Sequence, residues 1–213
     1  MSPSKSQVRA TARAPRLPRD ERRAQLLQVA HDVFVASGYH AAAMDDIADA
    51  AGISKPVLYQ HFPSKLDLYL ALLDQAADSL NAELEAAVAS TSDNKQRVAA
   101  ATAAYFDFVN DRLGGFRLVF ESDLTNEPAV RLRIDKATDY CAALISRVIA
   151  EDTGLTAGEA TLLAAGMTGL LQTAARYWSR GETHVDRETA TRLISALGWR
   201  GISSFPLSHP PEA

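Results

Sequence analysis

The chain has little of what marks secreted or membrane proteins. It contains 213 residues and one cysteine, Cys141, which excludes an intrachain disulfide framework and is consistent with a reducing cytosol. The longest notable run without a charge, 160–175, has 16 residues, whereas a membrane span needs about 20 apolar ones. The N terminus has basic residues but no apolar segment of a signal peptide. We therefore expect a soluble, cytoplasmic protein with no membrane partner.

Signals for enzymatic chemistry are also few. The sequence has no Gly-rich phosphate loop, nucleophile elbow or metal-ligand spacing, and its five histidines are scattered. We expect no enzyme, and hence no catalytic residue, no metal and no cofactor. There is no strand pattern and no internal repeat, and apolar residues recur at helical spacing throughout. The predicted fold class is all-α.

The most informative stretch is 44–65, MDDIADAAGISKPVLYQHFPSK. It has the spacing of two short helices joined by a tight turn, as in a DNA-reading helix-turn-helix. Gly52 supplies a left-handed end to the first helix. Ser54 stands where it can cap the second, and Pro56 falls in that helix's first turn, where a missing N–H costs nothing.

The second of these helices has two distinct sides. At about 100° per residue, Leu58 and Phe62 share the buried side. On the other side Lys55 and Gln60 can hydrogen-bond base edges, and Val57 can contact a thymine methyl. Tyr59 and His61 can reach phosphates. The predicted DNA contacts are Ser54, Lys55, Pro56, Val57, Tyr59, Gln60, His61 and Lys65. The alternative is an ordinary helical hairpin in an all-α protein.

Several short motifs resemble the N-terminal DNA-binding domain of the TetR family of bacterial transcriptional regulators. The resemblance covers roughly 20–70, and its motifs are Gly38-Tyr39, Asp46-Ile47-Ala48, the run 51–54, the run 58–62 and Lys65. It implies a dimeric, all-helical regulator in which three helices bind DNA. A larger C-terminal domain dimerises and usually binds a small effector. The family positions of Lys55, Val57 and Gln60 approach bases, and those of Tyr59, His61 and Lys65 hold phosphates.

The chain departs from the family pattern just before and after Met44. The family commonly has Thr or Ser there, followed by a basic residue, but this sequence has Ala42, Ala43 and Asp45. The missing hydroxyls remove a helix cap worth roughly 1 kcal/mol and a phosphate contact. Asp45 suits a helix N terminus but repels a nearby phosphate. These positions are therefore not among the predicted DNA contacts.

Charge is divided unevenly along the chain. Residues 1–65 carry 9 Lys and Arg against 6 Asp and Glu, whereas the remainder carries 13 against 20. A cationic front and an anionic body would orient the molecule toward DNA. Residues 1–19 hold five basic residues and no acid, which predicts a flexible basic arm that lies on DNA or, alternatively, a tail that only adds solubility.

The predicted organisation has four parts. After the arm (1–19) come the helix-turn-helix domain (20–66), a helical effector-binding and dimerisation domain (67–203) and a Pro-rich tail (204–213). A long helix starting at Ser64 would connect the two domains. The helix 159–180 is rich in Ala and Gly, and with the last helix it could form a four-helix interface in a homodimer. The alternative is close packing inside one subunit.

The effector site is the least specific prediction. Aromatic residues concentrate in the middle of the body, which would suit a small, partly apolar effector, although such spacing is also typical of plain core. The predicted effector contacts are Tyr105, Phe108, Phe116, Phe120, Tyr140 and Met167. Cys141 has no obvious cationic neighbour, so we expect a buried small hydrophobe rather than a redox sensor.

The sequence thus predicts a regulator that binds a palindromic double-stranded DNA operator as a homodimer. Repression is the usual mode of the resembled family, so the most specific expectation is a repressor released by a small-molecule effector. The alternative is a constitutive DNA-binding or protein-interaction regulator without a small ligand. An enzyme that happens to carry a helix-turn-helix is the third interpretation.

Overall fold

The structure, a computed structural model, describes residues 18–110, 124 and 126–202. Over these residues the chain forms eight helices and no strand, which confirms the all-α prediction. The helices are α1 (Arg19–Ala41), α2 (Met44–Ala50), α3 (Lys55–His61), α4 (Lys65–Ala89), α5 (Asn94–Asn110), α6 (Pro128–Thr153), α7 (Ala157–Ser179) and α8 (Arg187–Ile202). Residues 1–17 of the predicted arm, Phe116 and Phe120, and residues 203–213 lie outside the described part.

Glycines set the directions of the first three helices. Gly38 has a φ of +76° and interrupts α1 near its end. Gly52, at φ +66°, carries the turn between α2 and α3, as the sequence predicted. Residues from all three helices close a small core, in which Leu26, Ile47 and Leu58 are fully buried. Burial of such side chains stabilises the unit because it removes apolar surface from water.

The caps of the two short helices differ from the predicted ones. Ser54 occupies the N-cap position of α3. Among the described residues, however, no N–H of the first turn of α3 donates a hydrogen bond to its hydroxyl. Its carbonyl instead accepts from the N–H of Val57 at 2.9 Å. At α2 no side chain in the described part of the chain accepts from the first turn, as expected from the missing hydroxyls of Ala42 and Ala43. Only the other half of a capping box is present: Oδ2 of Asp46 accepts from the N–H of Ala43 at 3.2 Å.

The helix α4 runs from the unit of α1, α2 and α3 into the body. Ser64 caps it, because its hydroxyl accepts from the N–H of Asp67 at 3.0 Å. With 25 residues, α4 is about 37 Å long. Leucines along its length are buried, from Leu68 at 0% exposed to Leu84 at 5%. The predicted domain boundary between 66 and 67 falls in its first turn, and one core cluster continues from α1 to α8.

An aromatic cluster joins the end of α1 to the start of α4. The rings of Phe34 and Tyr69 meet edge to face with centroids 5.3 Å apart, and those of Tyr39 and Tyr69 are 5.1 Å apart. Tyr69 is 2% exposed. Aromatic pairs at these distances hold a defined geometry, so the DNA-binding unit is fixed to the first turns of α4.

The body is a bundle of α4 to α8. The helix α6 packs against α4 and α7, and α5 packs against α4, α7 and α8. Thr156 and Glu159 form the predicted capping box at the start of α7, with the N–H of Thr156 donating to Glu159 Oε2 at 2.8 Å. The small residues of α7 divide between two sides: Ala164 and Ala175 are fully buried, whereas Gly166 and Gly169 are exposed.

Among the described residues, no helix has the length and apolar character required to cross a membrane.

Candidate nucleic-acid interface and body cavity

The outward side of α3 carries residues predicted to contact DNA. Lys55, Pro56 and Gln60 are exposed, Tyr59 is 40% exposed, and Val57 is half-buried. Behind them Leu58 and Phe62, at 0% and 1% exposed, fix the helix to the core. The structure therefore confirms that α3 has one buried and one exposed side, as the sequence predicted. We call this surface, Lys55 to Gln60 without Leu58, the reading face.

Lys55 is not a free cation on the reading face. Its Nζ lies 2.7 Å from Oδ1 of Asp45, in the first turn of α2, and both side chains are more than half exposed, at 55% and 60%. The hydrogen bond and the charge of Asp45 raise the pKa of Lys55. The carboxylate that replaces the family's basic residue thus faces the first residue of the reading face. The sequence indicated a repulsive charge at Asp45 but not this partner.

His61 lies at the end of α3 beside cations of α1. Nη1 of Arg23 donates to the carbonyl of His61 at 3.2 Å, and its guanidinium stacks 4.3 Å from the centroid of Phe62. Partial burial, followed by the charges of Arg19, Arg23 and Arg22, lowers the pKa of His61. A histidine with a lowered pKa is neutral at pH 7. The arginines of α1 therefore add positive charge next to the predicted phosphate contacts.

Lys65 clamps the end of α1. Its Nζ donates to the carbonyls of Tyr39 and Ala42 at 2.8 Å each, and lies 3.5 Å from that of His40. It also stands 4.4 Å from the centroid of the Tyr39 ring. An ammonium has three N–H donors, so these carbonyls occupy all of them. The phosphate contact predicted for Lys65 stays a prediction and requires it to exchange a carbonyl for a phosphate oxygen.

The body holds an apolar cavity of about 90 Å³ between α4, α5, α6, α7 and α8. Its walls are mostly aliphatic, and Trp199 of α8 closes one side. Polar groups gather at one end, where Nη1 of Arg97 lies 3.0 Å from Oδ2 of Asp152. The side chain of Arg97 also bonds Asn94 at 3.0 Å and the carbonyl of Thr91 at 2.9 Å. An apolar cavity with a polar end is the usual form of a small-ligand site.

A smaller cavity of about 10 Å³ adjoins the first one and reaches deeper into the body. Val88, Ala101, Ile145 and Leu171 line both cavities. Tyr105 lines the small one, and its burial raises the pKa of its hydroxyl. Together these two cavities follow an apolar line from the Arg97 end toward Tyr105.

The four predicted effector residues in the described part of the chain lie in different places. Met167 lines the larger cavity and Tyr105 the smaller one. Phe108 is buried at 5% exposed but lines neither of the two. Tyr140 is 39% exposed on α6, where its hydroxyl hydrogen-bonds Glu85 of α4. Arg97, Asp152 and Trp199 line the larger cavity but were not predicted, because helical spacing alone does not tell which side of α5, α6 or α8 meets a void.

Cys141, which lines the smaller cavity, is 4% exposed. Burial raises the pKa of its thiol to about 11. The expectation of a small buried hydrophobe is confirmed.

Exposed apolar side chains gather on α7 and α8. Leu162 is 75% exposed and Tyr177 52% on α7, and Leu193 and Leu197 are 50% and 57% exposed on α8. A Cβ added at Gly166 or Gly169, between those α7 residues, would meet no heavy atom of the described residues within 4 Å. We call this surface the α7–α8 face. Several exposed apolar side chains on two helices that pack against each other make this surface a candidate interface.

Comparisons with known proteins agree with this arrangement. Residues 26–72 match the family model described as bacterial regulatory proteins, tetR family. The chain is also 46% identical over 197 residues to the transcriptional activator FasR of Mycolicibacterium smegmatis, covering 92% of this chain and 90% of that protein. The chain belongs to the TetR family. It is therefore a DNA-binding transcriptional regulator, and FasR is likewise named as a regulator rather than as an enzyme.

Other transcriptional regulators match in part or in fold. The transcriptional repressor KstR2 of Rhodococcus jostii is 32% identical over 120 residues, 50% of this chain and 59% of that protein. A TetR-like regulator from Rhodococcus sp. RHA1 has a TM-score of 0.65 at 26% identity, covering 88% of this chain and 99% of that one. FadR from Bacillus subtilis, solved in complex with stearoyl-CoA, has a TM-score of 0.69 at 18% identity, covering 82% and 96%. The last comparison concerns the fold alone.

The described part of this TetR-family chain has no cluster of three or more His, Cys, Asp or Glu residues that could hold a metal ion.

Proposed function

We propose that this regulator recognises a specific operator through the reading face and that a small apolar molecule in the body cavity controls its binding. The proposal for operator recognition rests on the exposed outward side of α3. On the opposite side, fully buried Leu58 and almost fully buried Phe62 anchor the helix to the core. In this proposal Lys55, Val57 and Gln60 contact base edges. The positioning contacts to phosphate and sugar come from Ser54, Pro56, Tyr59, His61 and Lys65.

The active form in this proposal is a homodimer on a palindromic operator. One seven-residue α3 buries little surface, so affinity requires two copies at half-sites about one helical turn apart or a multiple of it. The α7–α8 face supports this proposal, because Leu193 and Leu197 of α8 are at least half exposed. The exposed glycines Gly166 and Gly169 allow a second helix to approach α7 closely.

The proposed effector is a small, largely apolar molecule with one polar end. The aliphatic walls of the cavity would hold the apolar part of the effector. Arg97, which forms an ion pair with Asp152 in this structure, lies at the polar end. The same fold holds stearoyl-CoA in FadR, so it is compatible with a long alkyl chain. At about 90 Å³ the cavity is smaller than the roughly 300–1,000 Å³ of most ligand sites. An effector of that size would therefore have to move the surrounding helices.

The helix α4 gives such a movement a route to DNA. Val88, near its C-terminal end, lines the cavity, and Lys65, its first residue, clamps the end of α1. A ligand shifts an equilibrium between two states only by its difference in affinity for them. Displacement of α5, α6 or α7 by the effector would change the packing of α4 and hence the separation of the two reading faces in a dimer.

The names of two relatives guide our proposal of whether this regulator activates or represses transcription. FasR, which matches over 90% of its length, is named an activator, and we favour activation over the repression that the sequence resemblance suggested. Repression is the second candidate, because KstR2 is named a repressor. A reporter gene behind the chain's own selected operator distinguishes them: activation requires that expression fall when the regulator is removed, and repression requires that it rise.

The test of effector control uses Gly198, whose Cβ would meet Val98, Leu170 and Met167 at 3.6–4.0 Å. Selection from randomised duplex DNA first yields the operator. Binding to it is then measured with and without stearoyl-CoA, with free CoA as the control ligand. We expect stearoyl-CoA to change operator affinity and to raise the melting temperature, by a roughly constant step for each tenfold increase in its concentration above Kd.

Gly198→Leu would fill the cavity, so it should abolish the response to stearoyl-CoA while operator binding remains. Gly198→Ala, whose single methyl makes only ordinary contacts, is the matched control and should keep the response. If selection yields no operator, the reading-face proposal is wrong. If an operator is found but neither stearoyl-CoA nor shorter acyl-CoAs change its affinity, acyl-CoA is not the effector, and a constitutive binder becomes the favoured alternative.

A further inference from the structure

The ion pair between α2 and α3 joins the reading face to a residue that neither the family resemblance nor base chemistry assigns to DNA. Asp45 Oδ1 and Lys55 Nζ are 2.7 Å apart on the outer surface. Asp45 belongs to the first turn of α2, and Lys55 is the first residue of α3. The pair therefore spans the two helices of the motif at the end where α3 begins.

We propose that Asp45 is a specificity-determining residue, which holds Lys55 on the reading face and so weakens binding to DNA that lacks the operator sequence. This inference rests on the proposed role of Lys55 in base recognition. Asp45 is a positioning residue here: it acts through Lys55 and through its own charge, and it need not contact a base.

The physical basis is the different demand that the two kinds of DNA make on Lys55. Binding to random sequence depends almost entirely on neutralising phosphates. A Lys55 ammonium already paired with a carboxylate offers little net charge for that purpose, and Asp45 itself repels phosphates. The operator instead offers Lys55 acceptors on a base edge, and an ammonium with three donors can bind one while it keeps Asp45.

Pairing also reduces the freedom of Lys55. A lysine side chain has a flexible four-carbon stem and a compact charge, so a free ammonium reaches phosphates of any sequence. The Asp45 carboxylate, anchored on the separate helix α2, restricts Lys55 to the region above α3. Ordering the side chain before binding lowers the entropy cost of a specific contact. The ion pair would thus decrease affinity for random DNA more than for operator DNA.

The test is a double-mutant cycle of Asp45→Asn and Lys55→Ala on operator and random duplexes over a range of salt. Asp45→Asn should tighten binding to random DNA by about fivefold, with a smaller change on the operator. It should also steepen the dependence of log K on log salt on random DNA by about 0.9, because the released Lys55 neutralises one more phosphate. Lys55→Ala should remove that extra slope in the Asp45→Asn background.

In the background with Asp45 intact, Lys55→Ala should weaken operator binding by about tenfold and leave the salt slope on random DNA unchanged. Asp49→Asn is the matched control, because Asp49 lies one turn further along α2 and forms no ion pair in the described part of the chain. It should show no coupling to Lys55→Ala. Melting temperatures of all variants exclude differences due to unfolding.

Two results would overturn the inference: equal effects of Asp45→Asn on operator and random DNA, or additive effects of the two substitutions on random DNA. Either would reduce Asp45 to a general repulsive charge. The proposed function fails separately. If Lys55→Ala changes operator affinity in neither background, Lys55 does not read bases. If it weakens operator binding while Asp45→Asn changes nothing, only the role of Asp45 is wrong.

Discussion

At the scale of single residues, two lysines ten positions apart have different roles in the structure. Lys55 is exposed and paired with a carboxylate, whereas Lys65 is half-buried and donates to backbone carbonyls. The family resemblance assigned both to DNA. Sequence spacing could predict that Lys65 lies near the end of α1, but not that three carbonyls left open there would take its ammonium.

Lys65→Met is expected to destabilise the fold. The substitution keeps most of the aliphatic stem but leaves the carbonyls of Tyr39 and Ala42 without their donor. Hydrogen bonds to a charged group contribute about 1.5–3 kcal/mol, so the free energy of unfolding should fall by roughly that amount. Chemical denaturation checks it. A change in operator affinity without any loss of stability would instead assign Lys65 to phosphate alone.

His61 should make stability depend on pH. Partial burial and the charges of Arg19, Arg23 and Arg22 lower its pKa below the ordinary value of 6.5. The folded state therefore binds fewer protons than the unfolded state, and stability rises with pH. The difference appears below about pH 6.5 and grows until the folded state is protonated too.

The measurement is denaturation of the wild type and His61→Gln at pH 7.5 and 5.5. The wild type should lose more stability than the variant over this interval, since glutamine does not titrate. A phosphate near His61 would raise its pKa again, so operator affinity of the wild type should increase relative to the variant as pH falls. Equal losses of stability in the two proteins would show that neither burial nor the arginines lower the pKa of His61.

At the scale of the helices, local rules predicted the helix-turn-helix well and the body cavity poorly. Turn chemistry at Gly52 and amphipathic spacing at Leu58 and Phe62 act over a few residues, so a sequence displays them directly. The cavity depends on how five helices pack. Tyr105 and Tyr140 have equally suitable chemistry, yet one is buried beside free space and the other is exposed against Glu85.

Two glycine-to-alanine substitutions, at Gly52 and Gly198, should change the melting temperature in opposite directions, and together they test these local rules. Gly52 has a φ of +66°, and an L-residue in that conformation costs about 1–2 kcal/mol. Gly198 lies within α8 with ordinary clearance for a Cβ, where alanine favours a helix by about 1 kcal/mol. Gly52→Ala should lower the melting temperature and Gly198→Ala should raise it. A gain at Gly52 would contradict the left-handed turn.

At the scale of the whole molecule, the proposed function depends on a homodimer, of which this structure describes one chain. Composition predicted a cationic front and an anionic body, and the fold places Arg19, Arg22 and Arg23 beside α3 at that front. The homodimer and the palindromic operator remain predictions. Their structural support is the α7–α8 face, whose exposed leucines one subunit does not cover.

The double substitution Leu193→Lys and Leu197→Lys should convert the protein to a monomer. It places two charges in a surface that a second copy would desolvate, and unpaired buried charges are strongly unfavourable. Sedimentation velocity measures the result. Leu132→Lys is the control, because Leu132 is 67% exposed on α6, outside the α7–α8 face. A dimer that survives the double substitution would move the interface elsewhere.

The most direct test of the central claim, that the outward side of α3 reads sequence, is the affinity of Gln60→Ala for the selected operator and for random DNA. Gln60 is exposed and bears no charge, so its loss should leave phosphate-driven binding unchanged. The account requires operator affinity to fall by about 1–3 kcal/mol with random-sequence affinity unaltered. Equal losses on the two duplexes, or no loss on either, would contradict it.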